Sequence, residues 1–179
     1  MHGKYSAAVE SGRRLLLRAA GAAPLLAWSH ALAVESDPLP VPQGTPRERA
    51  VRVYNEGVKV LLERRHAEAQ KLFEQALALD EKFAEAHNNL AYSVRMQGAQ
   101  HFERALRHYN RAIELKPALA QAYMYRGVLF TQMGDMAKAR ADHARLLGMD
   151  RDLAARLALA IDKAVASPDD RSGIAGQYE

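Results

Sequence analysis

Residues Glu103 to Pro117 read ERALRHYNRAIELKP, and the recurrence of this stretch decides the fold. Its skeleton is Ala105, Tyr109, Ala112, Ile113 and Pro117. The same skeleton stands upstream as Ala69, Phe73, Ala76, Leu77 and then Glu81, and downstream as Ala139, His143, Leu146, Leu147 and then Arg151. The leading alanines are 36 and then 34 residues apart. A set of small residues, Gly57, Ala91 and Gly127, runs ahead of each copy in step. Residues at i, i+4, i+7 and i+8 share one face of an α-helix, so each copy is a helix, preceded by another that carries the small residue. Self-similarity at a period of about 34 residues, built from helix pairs, marks a solenoid.

Working outward, the pairs are expected over 46–63 with 66–79, 83–97 with 102–115, and 119–133 with 136–148. Gly98 and Gly134 mark the turns inside the second and third pairs, where a left-handed backbone is needed. Thr45, Pro46 and Glu48 form a capping box with proline at the first helical position, so helical order starts sharply there. Asp150 caps a last helix over 151–166, with Leu153, Leu157, Ala160, Ile161 and Ala164 on one face. That helix closes the apolar end a solenoid would otherwise leave wet. The expected fold is all-α: a right-handed α-solenoid of three helix-turn-helix pairs plus a C-terminal capping helix. The solenoid domain spans 47–166, and 167–179 is a mobile tail.

These residues resemble a tetratricopeptide repeat protein over roughly 50–151. The resemblance implies that Gly57, Ala91 and Gly127 let the second helix of each pair approach closely at Ala69, Ala105 and Ala139. Phe73 and Tyr109 then fill the junctions between pairs. The chain departs from that pattern at His143, where an aromatic is expected, at Leu146, where a small residue is, and at Glu81 and Arg151, where the turn proline is.

The first 33 residues have a different character. A polar, positive segment ends at Arg13-Arg14, an apolar run extends from Ala19 to Trp28, and Ala31 and Ala33 form an A-x-A ending. This is the layout of a secretory signal peptide, with cleavage before Val34. Arg13-Arg14-Leu15-Leu16-Leu17-Arg18 also resembles a twin-arginine export signal, with Gly12 where that family usually has Ser or Thr. The resemblance implies export of an already folded protein to a periplasmic or secreted location. The apolar core is about ten residues, short of the about 20 needed to span a bilayer. The mature form is therefore expected to have no membrane span. The alternative is an uncleaved anchor at 15–28 that tethers a structural scaffold to the cell envelope. Residues 34–46 carry Pro38, Pro40, Pro42 and Pro46, which forbid a helix and make an extended linker.

Composition narrows the function. The net charge is +4, but residues 1–33 contribute +3 of it. No basic stripe with interleaved aromatics remains for nucleic acid. There is no cysteine, which excludes disulfides and thiolate metal sites. His66, His87, His101, His108 and His143 are scattered, and none forms the H-x-x-x-H spacing that puts two ligands on one helical face. His87 and His143 are expected to be interior or half-buried, His101 and His108 facing solvent. Neither phosphate-binding glycine loops nor a nucleophile elbow occurs, so the chain reads as a non-enzyme without cofactor or metal.

The informative surface is the stripe on the first helix of each pair, which lines the concave side when pairs stack with a small rotation. The candidate protein-binding groove is Tyr54 and Val58, then Asn88, Asn89, Tyr92 and Arg95, then Met124, Tyr125 and Val128. Tyrosine offers large contact area with few torsions to freeze, and asparagine can hold a peptide backbone through both donor and acceptor. Some relatives hold acidic chaperone tails with a carboxylate clamp, but only Asn89 matches that pattern. The groove should instead prefer an apolar or mixed peptide from a protein partner. The expected role is an adaptor or assembly factor. Neither the partner's identity nor an oligomeric state follows from the sequence.

Overall fold

The computed structural model describes residues 44–166. The export motif at Arg13 and Arg14, the cleavage residues Ala31 and Ala33, most of the linker and the tail lie outside the described residues. Within them the chain is helical, and no strand occurs. Helices α1 (Pro46–Leu62) and α2 (His66–Leu79) make the first pair, and α3 (Ala84–Arg95) and α4 (Phe102–Leu115) the second. The third is α5 (Ala120–Met133) with α6 (Met136–Leu147), and α7 (Arg151–Ala166) follows. Each helix packs on the next, and α7 packs on both α5 and α6. This is an α-solenoid of helix-turn-helix repeats.

The local signals act as their chemistry requires. The Thr45 hydroxyl accepts from the Glu48 amide at 3.2 Å, and the Glu48 carboxylate accepts from the Thr45 amide at 2.8 Å. Two amides left over at the start of α1 are thereby satisfied. Asp150 accepts from the amides of Asp152 and Leu153, both at 3.0 Å, and starts α7 in the same way. The second pair carries a residue insertion at 99–101, which forms a single 3₁₀ turn, Ala99–His101, leading into α4.

The turns inside the pairs share one register position, seven residues after each small residue. Gly98 and Gly134 stand there with φ of 119° and 82°. In the first pair the position is Arg64, at φ 60°. A side chain in that conformation costs about 1 kcal/mol relative to glycine. The turn is thus imposed by the packing of α1 on α2 rather than by the residue.

Ala69, Ala105 and Ala139 are all fully buried, so the three leading alanines share one role. What fills the space beside the small residue differs between repeats. A Cβ added to Gly57 would lie 2.7 Å from Phe73 Cε1; the aromatic ring occupies the space a larger residue would need. A Cβ at Gly127 would instead run into the Leu157 methyl groups. In the third repeat, where His143 replaces the aromatic, the capping helix supplies the filling group. Tyr109, Phe73 and Leu157 are each fully buried, a transfer worth roughly 1.5–3 kcal/mol for a side chain of that size.

Candidate functional site

The first helices α1, α3 and α5 lie side by side and carry the expected groove residues. Tyr54, Val58, Asn89, Tyr92 and Tyr125 are partly exposed. Asn88, Arg95, Met124 and Val128 are not: their exposures are 5%, 2%, 1% and 3%. As open lining these four are corrected. Met124 and Val128 belong to the apolar cluster that α5 and α6 build with α7, and Arg95 Nη1 donates to Gln132 Oε1 at 3.2 Å. Helical spacing had put them on the stripe, but these side chains pack inside the solenoid rather than line its surface. Leu62, one turn beyond Val58 on α1, is 81% exposed.

The partly exposed residues form a connected arrangement. Asn88 Nδ2 donates to Asn89 Oδ1 at 3.0 Å, and Asn89 Nδ2 donates to the Tyr54 hydroxyl at 3.0 Å. The amide of Asn89 therefore ties α3 to α1. Burial, helped by the charge of Glu85, pushes the Tyr54 phenol above its ordinary value, against the pull of the Asn89 bond. At neutral pH the phenol keeps its proton and can donate it. The Tyr54 ring packs on Phe83 at 4.8 Å and Phe73 at 5.6 Å between centroids.

On α3 the Tyr92 ring meets three groups. His66 lies 5.9 Å away, the edge of Tyr125 meets it at 5.3 Å, and the Arg95 guanidinium stands 5.2 Å from its centroid. Tyr125 in turn stacks on the buried Tyr109 at 6.5 Å. Aromatic edges and faces in this range attract one another, by about 0.5–1.5 kcal/mol for a pair. The result is a row of ring contacts, His66–Tyr92–Tyr125, with one member from each helix pair and backed by the buried Tyr109 and Arg95; Tyr54 stands apart from it, tied to α3 through Asn89. The contribution of His66 was missed from the sequence; it lies on a second helix, outside the stripe that helical spacing traces.

A separate cleft of about 360 Å³ lies between α4, α5 and α6, beside Leu106, Asn110, Phe130 and Arg126. Its polar groups already have partners. Arg126 Nε and Nη2 donate to the two oxygens of the buried Asp142 at 3.0 and 2.6 Å, and Nη1 donates to Asn110 Oδ1 at 2.8 Å. Lys138 pairs with Asp135 at 2.6 Å. The cleft is therefore a brace between repeats. His108, expected to face solvent, is half-buried against His87; that expectation is corrected, because the faces of α3 and α4 that meet include both rings. Among the described residues no three His, Asp or Glu side chains come together as metal ligands, and no helix is long and apolar enough to cross a membrane.

Comparison with known proteins agrees with this architecture. A family model described as a TPR (tetratricopeptide) repeat matches residues 100–134. No curated protein matches the sequence. Several solved structures share the fold. The first tetratricopeptide domain of Spaghetti (RPAP3), bound to an HSP90 peptide, has 21% identity and a TM-score of 0.61, covering 69% of this chain and 98% of that one. PcrH in complex with the chaperone binding region of PopD has 20% identity and a TM-score of 0.60, covering 72% and 100%. The Yersinia enterocolitica type III secretion chaperone SycD, with a peptide of the translocator YopD, has 12% identity and a TM-score of 0.59, covering 68% and 96%. At these identities the likeness is one of fold. The repeat match covers residues 100–134, and over the rest of the solenoid the likeness is one of fold.

Proposed function

We propose that this tetratricopeptide-type solenoid is an exported protein-interaction module, an adaptor or assembly factor that takes a partner peptide across α1, α3 and α5. The observation that carries the reading is a set of three partly exposed tyrosines, Tyr54, Tyr92 and Tyr125, one on each first helix, with Tyr92 and Tyr125 in ring contact and Tyr54 tied to α3 by Asn89. Side chains fixed in advance lose little entropy on binding, which favours them as anchors. Solved neighbours of this fold hold peptides or protein segments, which supports the general class. Here the ligand should present apolar or mixed side chains to the rings, with backbone groups oriented by Asn89. Asn88, Arg95, Met124 and Val128 act as the floor that positions them.

Peptides selected from a random displayed library on the wild-type protein provide the test. Tyr92→Ala should weaken a selected peptide by about 2 kcal/mol, roughly thirtyfold in Kd, and Tyr92→Ala/Tyr125→Ala should abolish enrichment, with the helical signal unchanged. Enrichment that survives in the double variant would remove the tyrosines from the site.

Export follows from the leader in this reading. Arg13 and Arg14 direct a folded chain across the membrane, and cleavage after Ala33 releases it. Protein recovered from cells should begin at Val34. A chain that retains its first 33 residues and sediments with membranes would favour the tethered scaffold instead.

A further inference from the structure

Two imidazoles join α3 to α4 in the middle repeat. His87 Nδ1 and His108 Nδ1 are 3.1 Å apart, with the ring centroids 5.3 Å apart and 26° between planes, so the two rings meet end-on through these nitrogens. His87 Nε2 lies 3.0 Å from the carbonyl oxygen of Glu81. A carbonyl oxygen only accepts, so Nε2 holds the proton and neutral His87 presents a bare Nδ1. His108 must then be the Nδ1–H tautomer and donate across the gap. The arrangement requires both rings neutral, each in one particular tautomer.

The surroundings give no refuge to a positive ring. His87 has the Arg111 guanidinium nearby, and His108 has Arg104 and Arg107 on its own helix. From α2 the one carboxylate in reach is Glu74, and it is already engaged by Arg104 and by Gln70 Nε2 at 2.9 Å. From α5, Arg126 turns away to Asp142 and Asn110. The Glu81 contribution is its backbone carbonyl. A proton on His87 Nδ1 sets two N–H groups head to head, and a proton on His108 puts a charge in a half-buried site ringed by arginines.

We propose that the His87–His108 pair is an acid-sensitive latch, which holds the middle helix pair closed at neutral pH and loosens it on acidification. The latch is a property of the fold and stands whether or not the groove binds a partner. Burial lowers both imidazoles below their ordinary value, and the neighbouring cations add to this; His108 falls to about 4. In the unfolded chain each ring titrates near pH 6.5. Between those values the opened chain binds more protons than the closed one. The pair's stabilisation is therefore complete above about pH 6.5 and is lost as pH falls towards 4. Each group can change the folding equilibrium by up to about tenfold per pH unit in that window.

The test is urea denaturation of the full chain at pH 7.0, 6.0 and 5.0 for wild type, His108→Asn and His108→Phe. Asparagine can donate from the same position without titrating, and phenylalanine keeps an aromatic ring there without a titrating group. From pH 7.0 to 5.0 the wild-type folding constant should fall about tenfold more than that of either variant. Ring-nitrogen NMR of folded wild type should show His108 as the neutral Nδ1–H tautomer at pH 5.5. This reading decides the matter if both variants fail to fold. Parallel pH profiles in wild type and variants, or a His108 that titrates near 6.5 in the folded protein, overturn the latch.

Discussion

Arg126→Ala should cost the solenoid about 3 kcal/mol, because it leaves Asp142 charged, buried and without its partner. The carboxylate is nearly inaccessible and takes both of its strong hydrogen bonds from that one guanidinium. Burial alone pushes Asp142 upward, and the arginine pulls it back. Without the arginine, the group should hold its proton to a higher pH. The penalty should accordingly be smaller at pH 5 than at pH 7, which distinguishes a stranded charge from simple loss of packing. Replacing both residues, as Arg126→Met/Asp142→Leu, should recover most of the loss, since a well-packed apolar pair can match a buried ion pair. A denaturation cycle in which the two changes add without coupling would show the brace to be unimportant.

Leu157→Ala should be as damaging, at about 3 kcal/mol. The side chain is fully buried and lies so close to Gly127 that a β-carbon there would force it to shift. Truncation opens a hole at the seam of α5, α6 and α7. Gly127→Ala alone should destabilise by about 1 kcal/mol: overpacking against Leu157 costs about 1–3 kcal/mol, partly offset by the better helix propensity of alanine. In the Gly127→Ala background, Leu157→Ala should cost about 1 kcal/mol less than it does alone, because the added methyl occupies part of the hole. Equal costs in both backgrounds would mean that the two groups do not share a space.

Much of this was legible before any coordinates. The repeat period, the three pairs, the sharp start at Thr45 and the closing helix follow from signals that are local or strictly periodic. Caps and turns need only a few adjacent residues, and packing of like on like repeats at fixed spacing. The pairing of His87 with His108 was not legible, since the residues lie 21 positions apart and meet only through the angle at which α3 crosses α4. The ion pair of Arg126 and Asp142 escaped for the same reason. Along the groove, periodicity placed Tyr54, Asn89, Tyr92 and Tyr125 on the stripe together with Asn88, Arg95, Met124 and Val128. It could not separate them, because a solenoid helix packs on two sides and the rotation between repeats decides which side remains open. One signal for Leu157 was present: His143 in place of an aromatic leaves Gly127 without the ring its counterpart Gly57 receives, so another element has to fill that space.

That substitution gives the chain a terminus as well as an end. A helix bearing the leucine keyed to Gly127 is not interchangeable with the opening helix of one more repeat, so the array cannot be lengthened by splicing a unit between α6 and α7 without recutting the joint. Duplicating the middle unit joins like to like. The mismatch at one glycine thus fixes where the array closes, not how many like units can stand ahead of it.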